Sequence, residues 1–446
     1  MRRALTRNLI AAIIALVTLS AASTRADEVW RPMERDQAHR MLRAMREDIE
    51  KYYFDPTFGG FDLSRAYATA DDRIGRATSL PDAMSAIAQF AMELGDSHTY
   101  FIPPRQTVRV DYGWSMQSIG DTCYVVDLKP KSDAWRQGVR PGDRVEVVNG
   151  FRPTRANLLQ LRYLFQVLRP QPGLHVELLS AAGVARELNL AADVKRSPAI
   201  TDLSSDSGIQ QAAIEYERSI SAKESFFITI APDVVIWRLP SFSVTDAHIA
   251  YGLRMARRAK ALVLDLRGNG GGSERILLNL IGALNHGDAK VGTVRERNGD
   301  TALVAPGAGA SAYDGQLAVL VDSRSASASE IFARTVQLAK RGSVFGDRTA
   351  GHVMQGRLVG ETATQGEYIA LYGISVTSAD VLMSDGSRLE RVGVTPDVEV
   401  LPSSADLASG RDPALARALE FVGHPTDPEH AGLLLKPYRD AQLGTN

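Results

Sequence analysis

Residues 317–342 read LAVLVDSRSASASEIFARTVQLAKRG. An unbroken apolar run, Leu317 to Val321, has the length and character of a strand buried on both faces. A turn of small residues follows, and SASEIFARTVQLAKRG then reads as a helix. A serine at that junction sits at a helix N-terminus, where unpaired backbone N–H groups and the helix dipole favour developing negative charge. Small neighbours let another backbone approach. The nucleophile elbow of hydrolases uses the same arrangement, although its G-x-S-x-G motif is absent here. The plainer reading is that Ser325, Ser327 and Ser329 cap the helix with help from Glu330.

A second segment of the same design lies upstream. ALVLDLRGNGGGSERILLNL (261–280) is a buried strand ending at Asp265-Leu266-Arg267, a glycine cluster, and a helix. Such a loop offers unobstructed N–H groups suited to an oxyanion or a phosphate. No G-x-x-x-x-G-K-[ST] and no G-x-G-x-x-G occurs in this stretch, which argues against nucleotide binding. From residue 233 onward strands alternate with helices: VVIWRLPSF, TDAHIAYGLRMARRA, then the two segments above, then SVFGDRTAG, EYIALYGISVTSAD and DVEVLP. That order predicts a parallel or mixed sheet covered by helices. The chain after about 403 reads as a helical, polar surface appendage.

Ahead of this region the pattern changes twice. Residues 28 to about 105 are helical, with apolar residues at helical spacing in MERDQAHRMLRAMREDIEKYYF and LPDAMSAIAQFAMELGD, followed by DSHTYFIPP as a loop or short strand. Residues 106–195 carry strand and turn signals. Ala134, Gly138, Val139, Pro141-Gly142-Asp143, Val145, Val148 and Asn149-Gly150 resemble a PDZ domain of the circularly permuted kind. That resemblance implies strand addition of a peptide, with Tyr112, Gly113, Trp114 and Ser115 where a carboxylate-binding nest is expected. Residues 196–232 read as a connector with one or two strands.

Composition excludes several classes of function. The 446 residues are 44% hydrophobic and 23% charged with a formal net charge of −1, so there is no basic footprint for nucleic acid. Cys123 is the single cysteine and lies in the alternating stretch TCYVVDL, which makes it a buried strand thiol and leaves no intramolecular disulfide. The histidines at 39, 175, 248, 286, 424 and 430 show no metal-ligand spacing, and neither a metal nor a cofactor is expected. Arg2, Arg3 and Arg7, the apolar run from Leu9 to Leu19, and small residues at Thr24 and Ala26 make residues 1–26 a secretory signal. The run is too short for a membrane span. The mature protein is therefore expected to be soluble and exported, in the periplasm or secreted, meeting the membrane only through its signal.

SASASE after a Val-Asp strand end, DLRGNGGG upstream and LERVGVTPDVEV (389–400) downstream together resemble the tail-specific, or carboxy-terminal processing, serine peptidases, a family that includes the tricorn core. The resemblance runs from about 85 to 402. It implies Ser327 as nucleophile and an oxyanion hole built from the Ala328 N–H and that of Gly270 or Gly271. Ser/Lys members of the family carry a lysine 25 residues after the serine; here that position is His352, and no lysine occurs between Lys340 and Lys436. The tricorn-like branch uses a histidine from an upstream Ser-His pair and a later glutamate. LGDSHTYF supplies Ser97 and His98, and Glu390 lies in LERVGVTPD. Histidine, with an ordinary pKa near 6.5, suits the activation of a serine hydroxyl. The expected set is thus Ser327, base His98, and orienting residues Ser97 and Glu390, with His352 as the alternative base.

The expected fold is α/β: a mixed-sheet catalytic domain of the tail-protease, crotonase/ClpP-like kind, with a mainly helical N-terminal region and an inserted PDZ-like domain. The expected division is 1–26 signal, 27–105 helical region with the Ser-His motif, 106–195 PDZ-like, 196–232 connector, 233–402 peptidase core and 403–446 helical tail. The expected activity is hydrolysis of peptides or unstructured protein tails through an acyl-enzyme on Ser327. The alternative is a non-catalytic peptide- or lipid-binding protein on the same fold.

Overall fold

The structure, a computed structural model, describes residues 32–104, 108–196, 225–231, 233–365 and 368–437. The signal at 1–26 and most of the 196–232 connector lie outside the described residues.

The described residues open with the helices α1 (Pro32–Tyr52), α2 (Leu63–Arg76) and α3 (Leu80–Met92). Asp62 and Ser79 accept from the backbone N–H three residues on and so fix the starts of α2 and α3. A short strand, β1 (Tyr100–Ile102), follows. The next module contains β2 (Val108–Asp111), β3 (Trp114–Ile119), β4 (Thr122–Leu128), α4 (Asp133–Arg136), β5 (Arg144–Val148), α5 (Leu158–Tyr163), β6 (Gly173–Leu179), β7 (Ala185–Ala191) and β8 (Asp193–Arg196). Strands β3 to β7 form one antiparallel sheet in chain order. Cys123 lies buried in β4, and burial pushes its thiol up to about 11, the inert state expected of it.

The next region starts at β9 (Phe226–Ala231) and β10 (Val234–Arg238), and continues through α6 (Asp246–Ala256), β11 (Ala261–Asp265) and α7 (Glu274–Gly282). The strands β12 (Ala289–Glu296), β13 (Gly299–Ala305) and β14 (Gln316–Val321) come next, then α8 (Ala328–Leu338), β15 (Ser343–Gly346), β16 (Met354–Gln365), β17 (Tyr368–Met383) and β18 (Val398–Glu399). The chain closes with α9 (Ser404–Ser409), α10 (Pro413–Phe421) and α11 (Pro428–Leu434).

Six strands form the central sheet in the order β18-β15-β14-β11-β10-β9, all parallel except β9. Val235, Trp237, Leu262, Leu264 and Val319 face one way, onto α6, α7 and α8. Their neighbours Val234, Ile236, Val263, Ala318 and Leu320 face the other way, onto Ala414, Leu415, Ala418 and Leu419 of α10 and Ala431 of α11. Burial on both faces is why β11 and β14 are apolar without alternation. It also corrects one expectation: the residues after 403 are not a surface appendage but the second cover of this sheet.

A second sheet has the order β1-β17-β12-β13, with β16 paired to β17. β17 joins two cores. Tyr372, Ile374 and Val376 pack with the N-terminal helices and the 108–196 module, whereas Ala379, Val381 and Met383 belong to the core between the central sheet and α6 to α8.

Candidate active site

The two signature loops leave neighbouring parallel strands at the same end, because β11 and β14 pair in register up to Asp265 and Leu320. Open α/β sheets place their sites at the carboxyl ends of such strands. Ala326 N–H and Ser329 Oγ both donate to the Asn269 carbonyl, each at 2.9 Å, and stitch the loops together. The Asn269 side chain, fully buried, donates to Leu239 O and accepts from Gly271 N–H at 2.8 Å. Asp322, at the end of β14, accepts from Gly268 N–H at 2.8 Å and from Arg324 N–H.

The three serines of SASAS separate by environment. Ser325 and Ser329 are fully buried and donate to the carbonyls of Leu266 and Asn269. Ser327 is only partly buried, and its backbone stands at φ 55°, ψ −117°, a strained conformation for a residue with a Cβ. A Cβ built on Gly271 would lie 2.7 Å from Ser327 Cβ, so that glycine is required by close approach. Gly271 spends its N–H on Asn269, which removes it from the two oxyanion candidates. Gly270 is exposed, and a side chain there would meet only open space.

Glu330 is buried and accepts four donors: Thr349 Oγ1 and Gly351 N–H on Oε1, Ser327 N–H and His352 N–H on Oε2. Burial pushes its carboxyl up to about 7 against those four hydrogen bonds. Ser327 N–H also reaches His352 O at 3.0 Å, so the 349–352 loop and the Ser327 turn are held as one unit.

Ser97 and His98 sit in the turn before β1, which pairs with β17. Asp96 shapes that turn, accepting from His98 N–H, Thr99 N–H, Thr99 Oγ1 and the hydroxyl of Thr377 on β17. Ser97 Oγ lies 2.7 Å from His98 Nδ1 and donates to Glu390 Oε2 at 2.9 Å. Ser97 N–H and Val353 N–H donate to the same carboxylate. With its one proton given to Glu390, Ser97 Oγ accepts from Nδ1–H. The neutral His98 ring then carries its lone pair on Nε2. Burial lowers the His98 pKa, with Asp96 opposing, and burial raises that of Glu390.

The His352 ring is buried too, and desolvation with the nearby His98 pushes it down to about 4. Among the described residues no side-chain bond orients that ring, in contrast to His98. Gly356 lies under the His98 ring: a Cβ there would come 3.4 Å from His98 Cδ2 and 2.8 Å from Ser375 Oγ.

The Tyr112–Ser115 stretch is apart from this group, and the expected nest is not open. Gly113, at φ 71°, gives its N–H to the Asp111 carboxylate at 2.9 Å. Along the β3 edge, Met116 O accepts from Arg162, Ser118 O accepts from Ser323 Oγ, and Gln117 Nε2 donates to Asp322 at 2.8 Å. The edge is thus docked on the Ser327 turn. Asn269, Glu330, Asp96 and Asp322 were missed as site residues by sequence reading. Each makes at least one bond to a group distant in the chain, Asp96 to the Thr377 hydroxyl and the others to backbone groups, which no local motif reports. Among the described residues no cluster of three or more His, Cys, Asp or Glu is arranged for a metal, and no helix is long and apolar enough to cross a membrane.

Residues 233–400 match peptidase family S41. The chain is 26% identical over 414 residues to carboxyl-terminal-processing peptidase 2, chloroplastic, of Arabidopsis thaliana, covering 89% of this chain and 74% of that protein. It is 26% identical over 307 residues to the tail-specific protease of Haemophilus influenzae, covering 65% of this chain and 41% of the relative. The structure of mature CPAF superposes with a TM-score of 0.65 at 15% identity, over 93% of this chain and 98% of that one.

Proposed function

We propose that this chain, whose residues 233–400 match peptidase family S41, is a serine peptidase that cleaves unstructured peptides or protein tails through an acyl-enzyme on Ser327, with His98 as base. Ser327 Oγ attacks the scissile carbonyl carbon. His98 Nε2 takes the hydroxyl proton and later passes it to the leaving amine. Ser97 and Glu390 orient the imidazole and stabilise its charged form. The Ala328 and Gly270 N–H groups receive the oxyanion, the first from the N-terminus of α8. Water then repeats the attack and frees the enzyme.

The observation that carries the reading is the Ser97 hydroxyl, 2.7 Å from His98 Nδ1 and 2.9 Å from Glu390. It favours His98 over His352, whose proton affinity is too low for a base at neutral pH. The names of the relatives support carboxy-terminal processing as the kind of cleavage. The signal-like residues 1–26 support export, to the periplasm or beyond. The 108–196 module then acts through the contacts that its β3 edge makes with Asp322 and Ser323.

The test is labelling of the purified protein with a fluorophosphonate. Ser327→Ala and His98→Ala should abolish it and His352→Ala should retain it. Labelling that survives His98→Ala but not His352→Ala transfers the base to His352. Folded wild type that neither labels nor degrades unfolded casein returns the chain to a binding role.

A further inference from the structure

We propose that the segment after residue 403 is a positioning element of this site, in which Asp412, acting through Arg267, fixes the path of the glycine loop. This rests on the reading of Ser327 as nucleophile and Gly270 as oxyanion donor. The loop is tied to the Ser327 turn through Asn269 and Asp322, but Gly268, Gly271 and Gly272, at φ 69°, 104° and 139°, bring no side chains to set the direction in which the chain enters it. Its entry is instead held by four charged groups. Asp265, fully buried at the end of β11, accepts Arg267 Nε and Nη2, each at 2.9 Å, and Arg238 Nη1 at 2.7 Å. The remaining Arg267 donor, Nη1, reaches Asp412 Oδ1 at 2.9 Å.

The same groups grip the backbone. Arg267 N–H donates to Asp265 Oδ1 at 3.0 Å, and Arg267 O accepts from Arg238 Nη2 at 2.7 Å. Both peptide groups flanking Arg267 are therefore fixed one residue before the loop opens at Gly268. The quartet balances two carboxylates against two guanidinium groups, and the Asp412 and Arg267 side chains are 9% and 18% exposed. With Asp412 neutralised, Asp265 is the one carboxylate left for two buried guanidinium groups, an unfavourable state that the chain relieves by moving Arg267.

Asp412 is itself placed by the terminal helices. It caps α10 by accepting from Leu415 N–H at 3.0 Å, and its own N–H donates to Pro428 O at 2.7 Å. The apolar faces of α10 and α11 then lock it to the sheet. At the other end of the segment Ser404 Oγ donates to Gly142 O of the 108–196 module. The segment thus touches the module and the glycine loop alike.

The test is Asp412→Asn, which keeps a capping oxygen for Leu415 N–H and removes the charge. Two readouts are taken on the full-length protein: fluorophosphonate labelling resolved into kinact and KI, and hydrogen exchange of the peptide covering 266–273. The expected result is a kinact about 10- to 100-fold lower with KI unchanged, the size of effect a misplaced site shows. Exchange in 266–273 should speed up while β14 keeps its protection. Arg267→Lys, whose point charge cannot serve both carboxylates, should do the same and carries the test if Asp412→Asn does not fold. Wild-type kinact, or unchanged exchange in 266–273, overturns the proposal. Failure of wild type to label defeats the Ser327 reading instead, and the exchange result then decides the role of Asp412 alone.

Discussion

Ser97→Ala isolates the hydroxyl that joins His98 to Glu390. The substitution removes one oxygen and two hydrogen bonds, of 2.7 and 2.9 Å, and leaves Ser97 N–H bonded to Glu390 Oε1 at 3.0 Å, so the turn keeps its backbone anchor. In the ground state the Nδ1–H bond joins neutral groups. In the transition state the ring becomes imidazolium and that bond becomes charge-assisted, with the Glu390 carboxylate behind it. Hydrogen bonds to charged groups contribute about 1.5–3 kcal/mol. The neutral bond lost from the ground state contributes about 0.5–1.5 kcal/mol, so the difference of about 1–1.5 kcal/mol, at about 1.4 kcal/mol per decade, slows acylation roughly 5- to 13-fold. Substrate affinity should be untouched, since Ser97 contacts no part of the expected substrate path. The assay is fluorophosphonate labelling with kinact and KI separated, alongside a thermal melt of the same preparation. A kinact within twofold of wild type would refute the claim that Ser97 transmits Glu390 to His98. A rise in KI without a change in kinact would point to a binding role for the hydroxyl.

Two further outcomes follow from the geometry. The labelling rate should fall as pH drops through about 7, because Glu330 then takes a proton and must release one of its four donors. His98, held below its ordinary 6.5, adds a second loss only at lower pH, so the logarithmic rate should steepen on the acid side; a single limb centred below 6.5 would remove Glu330 from the account. Gly356→Ala should slow labelling at least several-fold with little change in melting temperature, since its Cβ meets Ser375 Oγ at 2.8 Å and the His98 ring at 3.4 Å; a wild-type rate would show that the ring has room to move.

The strand-turn-helix segments around Ser327 and Gly270 were legible because each is local: a buried strand, small turn residues and a helix start are all contiguous. Ser97, His98 and Glu390 came from a resemblance, and the structure brings these three together. What the sequence hid was tertiary. Glu330 read as a helix-capping partner, yet it accepts from a loop 19 to 22 residues away. The choice between Gly270 and Gly271 depended on where the Asn269 side chain turned. The terminal helices looked like an appendage because their buried face intersperses the small residues Ala414, Ala416, Ala418 and Ala431 among Leu415, Leu419, Val422 and Leu435, which weakens the apolar signal of a core. Tyr112–Ser115 matched a peptide-binding pattern, but its edge is already occupied by Ser323, Gln117 bonding and the Asp111 carboxylate.

The Ser97–Glu390 pairing spans 293 residues, and this bears on how the protein is made. At about 5–20 residues per second, the glutamate leaves the ribosome roughly 15 to 60 s after the serine. Until then the Ser97–His98 pair lacks its carboxylate, and β1 lacks β17 to pair with for nearly as long. A nascent chain is therefore a harmless polypeptide for most of its synthesis, and its own unfolded neighbours are safe from it. The order of synthesis thus leaves the Ser97–Glu390 link unmade until nearly all of the chain has emerged.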